Sequence, residues 1–167
     1  MIDDATAADF EQVLAIYNEV IRNTTAVYSD AEFDTVSGRH WFDSKLLSGF
    51  PLLVARDGAG VAGFGAFGAF RAWPCYRHSV EHSVHVRYDR RGQGIGRALL
   101  QELMTRAVAM GKHVMIAGID AENVASIRLH ESMGFSRVGR FHEVGFKFGR
   151  WLDLEFLQCI IPPTSGR

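Results

Sequence analysis

The chain has 167 residues, 47% of them apolar, and its 18 Lys and Arg against 19 Asp and Glu give a formal charge of −1 at pH 7. A chain of this size can bury enough apolar surface to fold without disulfides or a structural metal, and its length fits one domain. The near-zero, interspersed charge excludes a surface that gathers nucleic acid or anionic lipid by charge alone, and no apolar stretch reaches the roughly 18 residues of a membrane-spanning helix. We therefore expect neither nucleic acid nor a membrane as a partner.

The two cysteines, Cys75 and Cys159, lie far apart in the sequence, and the first residues carry neither the basic nor the apolar segment of a secretory signal. The expected compartment is the cytoplasm. We predict one domain over residues 1–161 and a flexible tail over residues 162–167.

Taken in chain order, the pattern first predicts two helices and a hairpin. After Thr6, apolar residues at three- and four-residue spacing predict a helix over 7–22. A second, less regular helix runs from Val36 and stops at Gly49. Residues 52–55 and 61–70 are then predicted as the two strands of a hairpin, joined by a glycine-containing turn.

The second half alternates strands and helices. A polar-rich strand over 79–86 is followed by a glycine loop and by an amphipathic helix that ends near Gly111. Residues 113–119 predict a buried strand, 125–133 a short helix ended by Gly134, and 135–141 and 148–158 two closing strands. This order predicts an α/β fold, with a single mixed central sheet flanked by helices on both faces.

The glycine loop has the composition of a phosphate-binding turn. Gly92, Gly94 and Gly96 lie between a predicted strand and a helix, whose first-turn N–H groups lack partners within the helix. Without Cβ atoms the backbone can approach a pyrophosphate closely, and Arg91 and Arg97 flank it with positive charge. A P-loop and a dinucleotide fingerprint are both excluded because their closing residues are missing. A tight turn without a ligand is the alternative.

Two motifs carry a family resemblance. Arg91-x-x-Gly94-x-Gly96 resembles the pyrophosphate loop of the GNAT superfamily of acetyl-coenzyme A-dependent N-acetyltransferases, and NVASIRLHESMGF (123–135) is similar to a later segment of that superfamily. VEHSV (80–84), RLHE (128–131) and VGFKFGRWLD (144–153) resemble its phosphinothricin and methionine sulfoximine acetyltransferase branch, over nearly the whole chain. The sequence departs from the phosphinothricin enzyme at residues 70–74. The resemblance implies a GNAT-like fold, acetyl-coenzyme A as co-substrate, no metal, and a homodimer.

The resemblance also implies where the coenzyme binds: at the loop, at the end of the preceding strand and at the start of the later helix. The residues concerned are Val84, His85, Val86, Arg91, Gly92, Gln93, Gly94, Ile95, Gly96, Arg97, Asn123 and Ser126. A main-chain N–H of residues 84–86 would polarise the thioester carbonyl if the strand splays from its neighbour there. Helix capping is the alternative role for Asn123.

Acetyl transfer needs a base for the amine and a proton for the leaving thiolate. Glu81 is the candidate base, because Glu is depleted in strands and the resemblance places a proton-accepting Glu here. His130 stands where most GNAT enzymes have a tyrosine that acts as general acid, and an imidazole can do the same work. An ordinary strand carboxylate and a packed helix histidine are the respective alternatives.

The predicted acceptor-binding residues are Arg71, Trp73, Glu81 and His82. The planar fork of an Arg can bind the carboxylate of an amino acid through two parallel hydrogen bonds. Strand alternation places Glu81 and His85 on the face opposite His82, which argues against a zinc site built from these histidines.

The leading hypothesis is direct, sequential transfer of acetyl to the α-amino group of a small amino-acid-like acceptor of the phosphinothricin, methionine sulfoximine or methionine sulfone type. Acetylation of a protein N-terminus, a lysine or a polyamine is the alternative within enzymes. From another class, the chain could be a coenzyme-binding regulatory domain without catalysis.

Overall fold

A computed structural model describes residues 1–161, and the predicted tail lies outside these described residues. The strands are β1 (Ile2–Asp4), β2 (Leu52–Asp57), β3 (Gly60–Ala69), β4 (Ser79–Val86), β5 (Val114–Asp120), β6 (Ser136–Lys147) and β7 (Arg150–Ile160). The helices are α1 (Phe10–Asn23), α2 (Thr35–Leu47), α3 (Ile95–Ala109) and α4 (Val124–Glu131). Within residues 1–161, no helix combines the length and the apolar composition needed to cross a bilayer.

The seven strands form one mixed sheet in the order β1-β2-β3-β4-β5-β7-β6. β4 and β5 are parallel, whereas β1 with β2, β2 with β3, β5 with β7 and β6 with β7 are antiparallel. The β4–β5 ladder comprises three residue pairs, the last of which joins Glu81 to Ile116, although β4 itself continues to Val86. The predicted fold class is confirmed, and the order of the elements from α1 onward is as predicted.

The chain forms two compact units, one comprising Met1–Gly68 and Ser83–Leu103, the other Ala69–His82 and the chain from Met104 onward. In the first unit, α1, α2, β2 and β3 share a core in which Phe10, Phe42 and Phe64 are almost fully buried. The single domain over 1–161 stays a prediction.

Helices cover both faces of the sheet in the first unit. Adjacent residues on a strand point to opposite faces. On β3, the Phe64 ring lies 5.9 Å from the Tyr17 ring of α1. The next residue is Gly65, where a Cβ atom would lie 3.0 Å from Leu103 of α3. α1 and α3 therefore lie on opposite faces, as predicted.

Two differences from the predicted elements lie at the N-terminus. The sequence does not predict β1, because its three residues carry no hydrophobic alternation; backbone pairing with Leu53–Ala55 of β2 forms this strand. The helix predicted over 7–22 begins as a 3-10 turn, Ala7–Asp9, before α1. In that turn the Thr6 N–H and hydroxyl both donate to Asp9 Oδ2, at 2.7 and 3.0 Å.

The hairpin formed by β6 and β7 differs more from its predicted bounds. β6 extends to Lys147 instead of ending at residue 141, because an irregularity between Phe141 and Gly145 lets the strand resume. Within it Glu143 has φ of +53° and its N–H donates to Asp153 Oδ1 at 2.8 Å. β7 begins at Arg150 instead of 148, because residues 148 and 149 both have positive φ and form the turn.

The approach of β3 to β4 depends on Gly63. A Cβ atom there would lie 2.8 Å from the carbonyl oxygen of His85 and 3.3 Å from Cα of Val86. These are main-chain atoms, which move only if the end of β4 moves. The absence of a side chain at Gly63 therefore allows residues 85 and 86 of β4 to approach β3 this closely.

Gly63→Ala should lower the free energy of unfolding by about 1–3 kcal/mol, since the methyl group would press on the β4 backbone. Gly68 is the matched control: it lies on the same strand, and a Cβ there would meet no atom within 4 Å. Gly68→Ala should change stability by less than about 0.5 kcal/mol. Chemical denaturation measures both, and equal losses would contradict the role given to Gly63.

Candidate active site

Glu81 lies at the end of the β4–β5 ladder with its carboxyl directed along β5. A Cβ atom on Gly118 would lie 3.2 Å from Glu81 Oε1, so the glycine leaves room for the carboxyl. Burial raises the pKa of Glu81, and the positive charge of Arg71 opposes this rise without cancelling it. A carboxylate with an increased proton affinity is better matched to a basic amine than an ordinary one.

A cavity of about 370 Å³ lies in the same unit. Its lining consists of Phe70, Arg71, Ile116, Val138, Gly139, Arg140, Phe141, Phe156 and Gln158. Ile116 is the strand partner of Glu81, and Arg71 is the residue whose charge acts on the Glu81 carboxyl. The volume falls within the usual range of small-molecule sites, which begins near 300 Å³.

The two guanidinium groups of the cavity differ in their partners. Nε of Arg140 donates to Glu155 Oε2 at 2.7 Å, and this carboxylate is buried. The Arg71 guanidinium donates to the Phe70 carbonyl at 2.9 Å and stacks over the Phe70 ring at 4.1 Å. Within residues 1–161, Arg71 forms no ion pair shorter than 4 Å. The positive charge of Arg140 is therefore paired with Glu155, whereas the charge of Arg71 has no ion-pair partner within 4 Å among residues 1–161.

The structure separates the four residues predicted to bind the acceptor. Arg71 lines the cavity, and its charge acts on the carboxyl of Glu81, which is not itself part of the lining. The Trp73 side chain is 74% exposed and does not line the cavity. His82 packs on His130 and likewise is not part of the lining. Acceptor binding stays a prediction for all four residues.

Sequence reasoning missed three positions: Arg140 and Gln158, which line the cavity, and Gly118, which faces the Glu81 carboxyl. A glycine inside a buried strand is a signal of close approach, so Gly118 could have been found. Arg140 and Gln158 carry no such signal, because they reach the cavity through pairing between β6, β7 and β5.

His82 and His130 form a pair of stacked imidazoles. Their ring centroids are 5.1 Å apart with planes inclined by 20°, and their Nε2 atoms are 3.2 Å apart. Nδ1 of His130 lies 2.7 Å from the Ser126 carbonyl oxygen, and the Phe135 ring packs edge-on against both histidines. Burial lowers the pKa of His130, and the bond to Ser126 opposes this without cancelling it. His130 is therefore neutral at pH 7.

The glycine loop has an open backbone at the start of α3. Gly92 and Gly94 have φ of +76° and +81°, and a Cβ atom on either would meet no atom within 4 Å. The Gly94 carbonyl accepts the first helical bond, from Ala98 N–H at 3.0 Å. The N–H groups of Ile95, Gly96 and Arg97 thus belong to the first turn, which has no acceptors within the helix.

Arg91 takes a different place from the one expected of a phosphate-flanking charge. Its Nε donates to the Val86 carbonyl at 3.1 Å, and a terminal nitrogen lies 3.0 Å from Glu19 Oε2 of α1. Through these two contacts the Arg91 side chain links the glycine loop to the end of β4 and to α1. Gln93 is also turned inward, with Nε2 3.4 Å from the Asp89 carbonyl.

The side chain of His85 is part of the protein interior. Its ring packs 5.3 Å from Tyr17 and 5.1 Å from Phe64. Burial, helped by the charge of Arg91, lowers the pKa of His85 to about 4. Coenzyme contacts at residues 84–86 stay a prediction that concerns their main-chain groups.

At the start of α4, Asn123 caps the helix. Its Oδ1 accepts from the Ser126 N–H at 3.1 Å, which is the alternative role considered for this residue. Coenzyme binding by Asn123 and Ser126 stays a prediction. In the described part of the chain, no group of three or more His, Cys, Asp or Glu side chains is arranged to hold a metal.

Comparisons with known proteins agree on one family. The model of the Acetyltransferase (GNAT) family matches residues 13–135. The L-methionine sulfoximine/L-methionine sulfone acetyltransferase of Pseudomonas aeruginosa is 48% identical over 166 residues, with 99% of this chain and 96% of that protein covered.

Two solved structures are similar over nearly the whole chain. A ribosomal-protein-alanine N-acetyltransferase from Brucella melitensis is 46% identical with a TM-score of 0.93, covering 96% of this chain and 99% of that one. A GNAT superfamily phosphinothricin acetyltransferase from Sinorhizobium meliloti, in complex with acetyl-coenzyme A, is 37% identical with a TM-score of 0.93, covering 100% and 91%.

The chain belongs to the GNAT acetyltransferase family. It is an acetyl-coenzyme A-dependent N-acetyltransferase, which confirms the resemblance, the fold and the co-substrate given by the sequence motifs.

If the loop binds the coenzyme, Gly94→Ala should weaken acetyl-coenzyme A binding about tenfold or more, because a side chain at φ of +81° is strained and stands on the open side of the loop. Gly111→Ala is the control, since Gly111 has φ of +65° and equally open surroundings beyond the end of α3. Gly111→Ala should lower the free energy of unfolding by a similar amount without changing the affinity for acetyl-coenzyme A. Isothermal titration calorimetry measures both, and equal affinities would remove Gly94 from the coenzyme site.

Proposed function

We propose that this enzyme acetylates the α-amino group of small amino-acid-like acceptors, with methionine sulfoximine and methionine sulfone as its model acceptors and phosphinothricin as a related one. The observation that carries the proposal is that Arg71 lines the cavity and its charge acts on the carboxyl of Glu81, whose strand partner Ile116 lines the same cavity. An amino acid bears its carboxylate and its ammonium on one carbon, so a neighbouring cation and carboxylate match both groups.

Each of the two residues has a separate task. The Arg71 guanidinium binds the acceptor carboxylate and turns the ammonium toward Glu81. Glu81 takes a proton from the ammonium, whose pKa is about 10, and thereby frees the lone pair for attack on the thioester carbonyl of acetyl-coenzyme A. A C–N bond forms, the C–S bond breaks, and the electron pair remains on sulfur. His130 and its partner His82 are the nearby groups proposed to supply the proton that sulfur takes.

The remaining lining of the cavity favours a neutral side chain. Ile116, Val138, Phe141 and Phe156 give it apolar walls, and the charge of Arg140 is compensated by Glu155. Gln158 adds an amide that can both donate and accept hydrogen bonds. A short apolar chain that ends in a neutral sulfoximine or sulfone fits this combination, and the Pseudomonas aeruginosa relative is named for such acceptors.

The coenzyme is proposed to bind the loop of residues 91–97, the main chain of 84–86 and the start of α4. The short β4–β5 ladder supports this arrangement, because β4 continues for five residues beyond its last pair with β5. A main-chain N–H in that stretch could polarise the thioester carbonyl.

The test follows free thiol while the protein is incubated with acetyl-coenzyme A and an acceptor panel. Methionine sulfoximine, methionine sulfone and phosphinothricin should release thiol well above the water blank, and peptides, lysine derivatives and polyamines should not. Glu81→Gln is the control for chemistry, and its turnover should fall about 10²-fold. Preference for a peptide with a free N-terminal alanine would favour the alternative suggested by the Brucella relative. No release with any acceptor would favour a regulatory domain.

Arg71→Lys should raise the KM for methionine sulfoximine about 10-fold or more, because a point charge replaces a planar fork that binds the carboxylate through two bonds. The KM for acetyl-coenzyme A should stay within a factor of about two. Arg140→Lys is the matched control within the same cavity, because its charge already pairs with Glu155. A loss of the same size with an amine that lacks a carboxylate would show that Arg71 does not bind that group.

The homodimer and the cytoplasm are part of the proposal. Exposed aromatic residues cluster on the β6–β7 hairpin, where Phe146, Phe148 and Trp151 are each about 60% exposed. Apolar surface of this kind is typical of subunit interfaces, and we place the dimer contact there. Sedimentation equilibrium measures the mass of the assembly. Cys75 and Cys159 are both free thiols, as suits a reducing compartment.

A further inference from the structure

One row of side chains crosses the sheet from Glu81 to Gln158. Glu81 of β4 pairs with Ile116 of β5, and Ile116 pairs in turn with Gln158 of β7. Paired residues of neighbouring strands project from the same face, so these three side chains share one face of the sheet. Two strand spacings, or about 10 Å, separate the backbone of Glu81 from that of Gln158. Ile116 and Gln158 both line the cavity, so the row joins the candidate base to a polar group on the cavity wall.

The surface between the two ends of this row is apolar. Next to Ile116 and Gln158 on the same face, Gly118 of β5 pairs with Phe156 of β7, and Phe156 also lines the cavity. The Glu81 carboxyl lies over Gly118, where no side chain stands in its way. An acceptor that places its ammonium at Glu81 can therefore extend its side chain over Ile116 and beside Phe156 toward Gln158.

The amide of Gln158 is available to a ligand. Among residues 1–161 its side chain forms no hydrogen bond, although the cavity walls around it are largely apolar. A primary amide carries two N–H donors and one carbonyl acceptor. A bound ligand that displaces water from this amide without replacing its hydrogen bonds is penalised, whereas a ligand that supplies them is not.

We propose that Gln158 binds the polar end of the acceptor side chain, and that its distance from Glu81 selects acceptors by length. This inference rests on the proposed acetylation of small amino-acid-like acceptors. A sulfone offers two oxygens that accept from the amide N–H groups, and a sulfoximine offers both an oxygen and an N–H. Norleucine has an unbranched side chain of the same length as methionine without these groups, so it leaves the amide unpaired.

Gln158→Met tests the contact, because methionine keeps the unbranched shape of glutamine and has no N–H to donate. The comparison uses kcat/KM for methionine sulfone and for norleucine. We expect the value for methionine sulfone to fall about tenfold and that for norleucine to rise about threefold, since an apolar group then meets an apolar chain. The preference for the sulfone should therefore decrease about 30-fold.

Ser136→Ala is the matched control. Ser136 of β6 is the other strand partner of Gln158 and shares its face, but it is not part of the cavity lining. This variant should leave the preference for the sulfone within about twofold of wild type. An unchanged preference in folded Gln158→Met, or an equal decrease in Ser136→Ala, would overturn the proposal. Circular dichroism shows whether each variant is folded.

Gln158→Glu provides a second test with nearly the same side-chain shape. The carboxylate only accepts hydrogen bonds, so it opposes the oxygens of a sulfone but accepts from the N–H of a sulfoximine. We expect the preference for methionine sulfoximine over methionine sulfone to rise about fivefold or more. Equal losses with the two acceptors would show that Gln158 does not contact the polar end of the side chain.

S-methylcysteine sulfone, which is shorter by one methylene group, tests the selection by length. With its ammonium at Glu81, its oxygens stop short of Gln158. We expect its kcat/KM in the wild-type protein to be about tenfold or more below that of methionine sulfone, and this difference to shrink in Gln158→Met. A difference of the same size in both proteins would assign the length preference to the apolar walls and overturn that part of the proposal.

The outcomes separate this inference from the proposed function. If the wild-type protein releases no thiol with any of these acceptors, the proposed function fails and the inference fails with it. If methionine sulfone is acetylated and both Gln158 variants keep the wild-type preferences, the proposed function stands and the inference alone is overturned.

Discussion

The candidate site depends on the pleat of one strand, β4. Adjacent residues of a strand point to opposite faces, so Glu81 and His82 must face different sides of the sheet. The Glu81 carboxyl faces Gly118 and is subject to the charge of Arg71, whereas His82 faces His130 of α4. A one-residue shift in the register of β4 would exchange these environments, placing the carboxyl against the imidazole of α4 and the histidine beside the cavity. Gly63 leaves room for the end of this strand, and Arg91 donates a hydrogen bond to it. We therefore expect both residues to help maintain the register of β4.

The burial of Glu81 makes the stability of the fold depend on pH. Burial raises the pKa of Glu81 above its value in the unfolded chain. A carboxyl shifted in this direction contributes stability that is fully present below its unfolded pKa and is lost as pH rises through the folded value. Above its folded pKa the ionised Glu81 therefore destabilises the fold, and the charge of Arg71 reduces this penalty without removing it. Such a cost is common where a charged group must remain accessible to a ligand.

The sequence predicts what is local and misses what depends on distant pairing. The loop at Gly92 and Gly94 lies between a strand and a helix within a few residues, so composition and spacing were sufficient to place it. The start of β7 was misplaced by two residues because Phe148, with φ of +53°, takes a conformation that a phenylalanine rarely adopts. The pairing of His82 with His130 joins residues 48 positions apart, and only the packing of α4 against β4 brings them together.

The proposed site divides into elements that hold the candidate catalytic residues and elements that line the cavity. Glu81, His82 and His130 lie on β4 and α4, within segments whose residues carry the family resemblance. The cavity walls come instead from the end of β3 and the loop after it, from β6 and from the outer half of β7, and Arg71 and Gln158 lie there. Changes in these walls alter charge and shape around the acceptor without moving the carboxyl on β4 or the histidine pair. The relatives named for an amino-acid analogue and for a ribosomal-protein alanine are both similar to nearly the whole of this chain, so the proposed acceptor rests on the lining of this chain's own cavity.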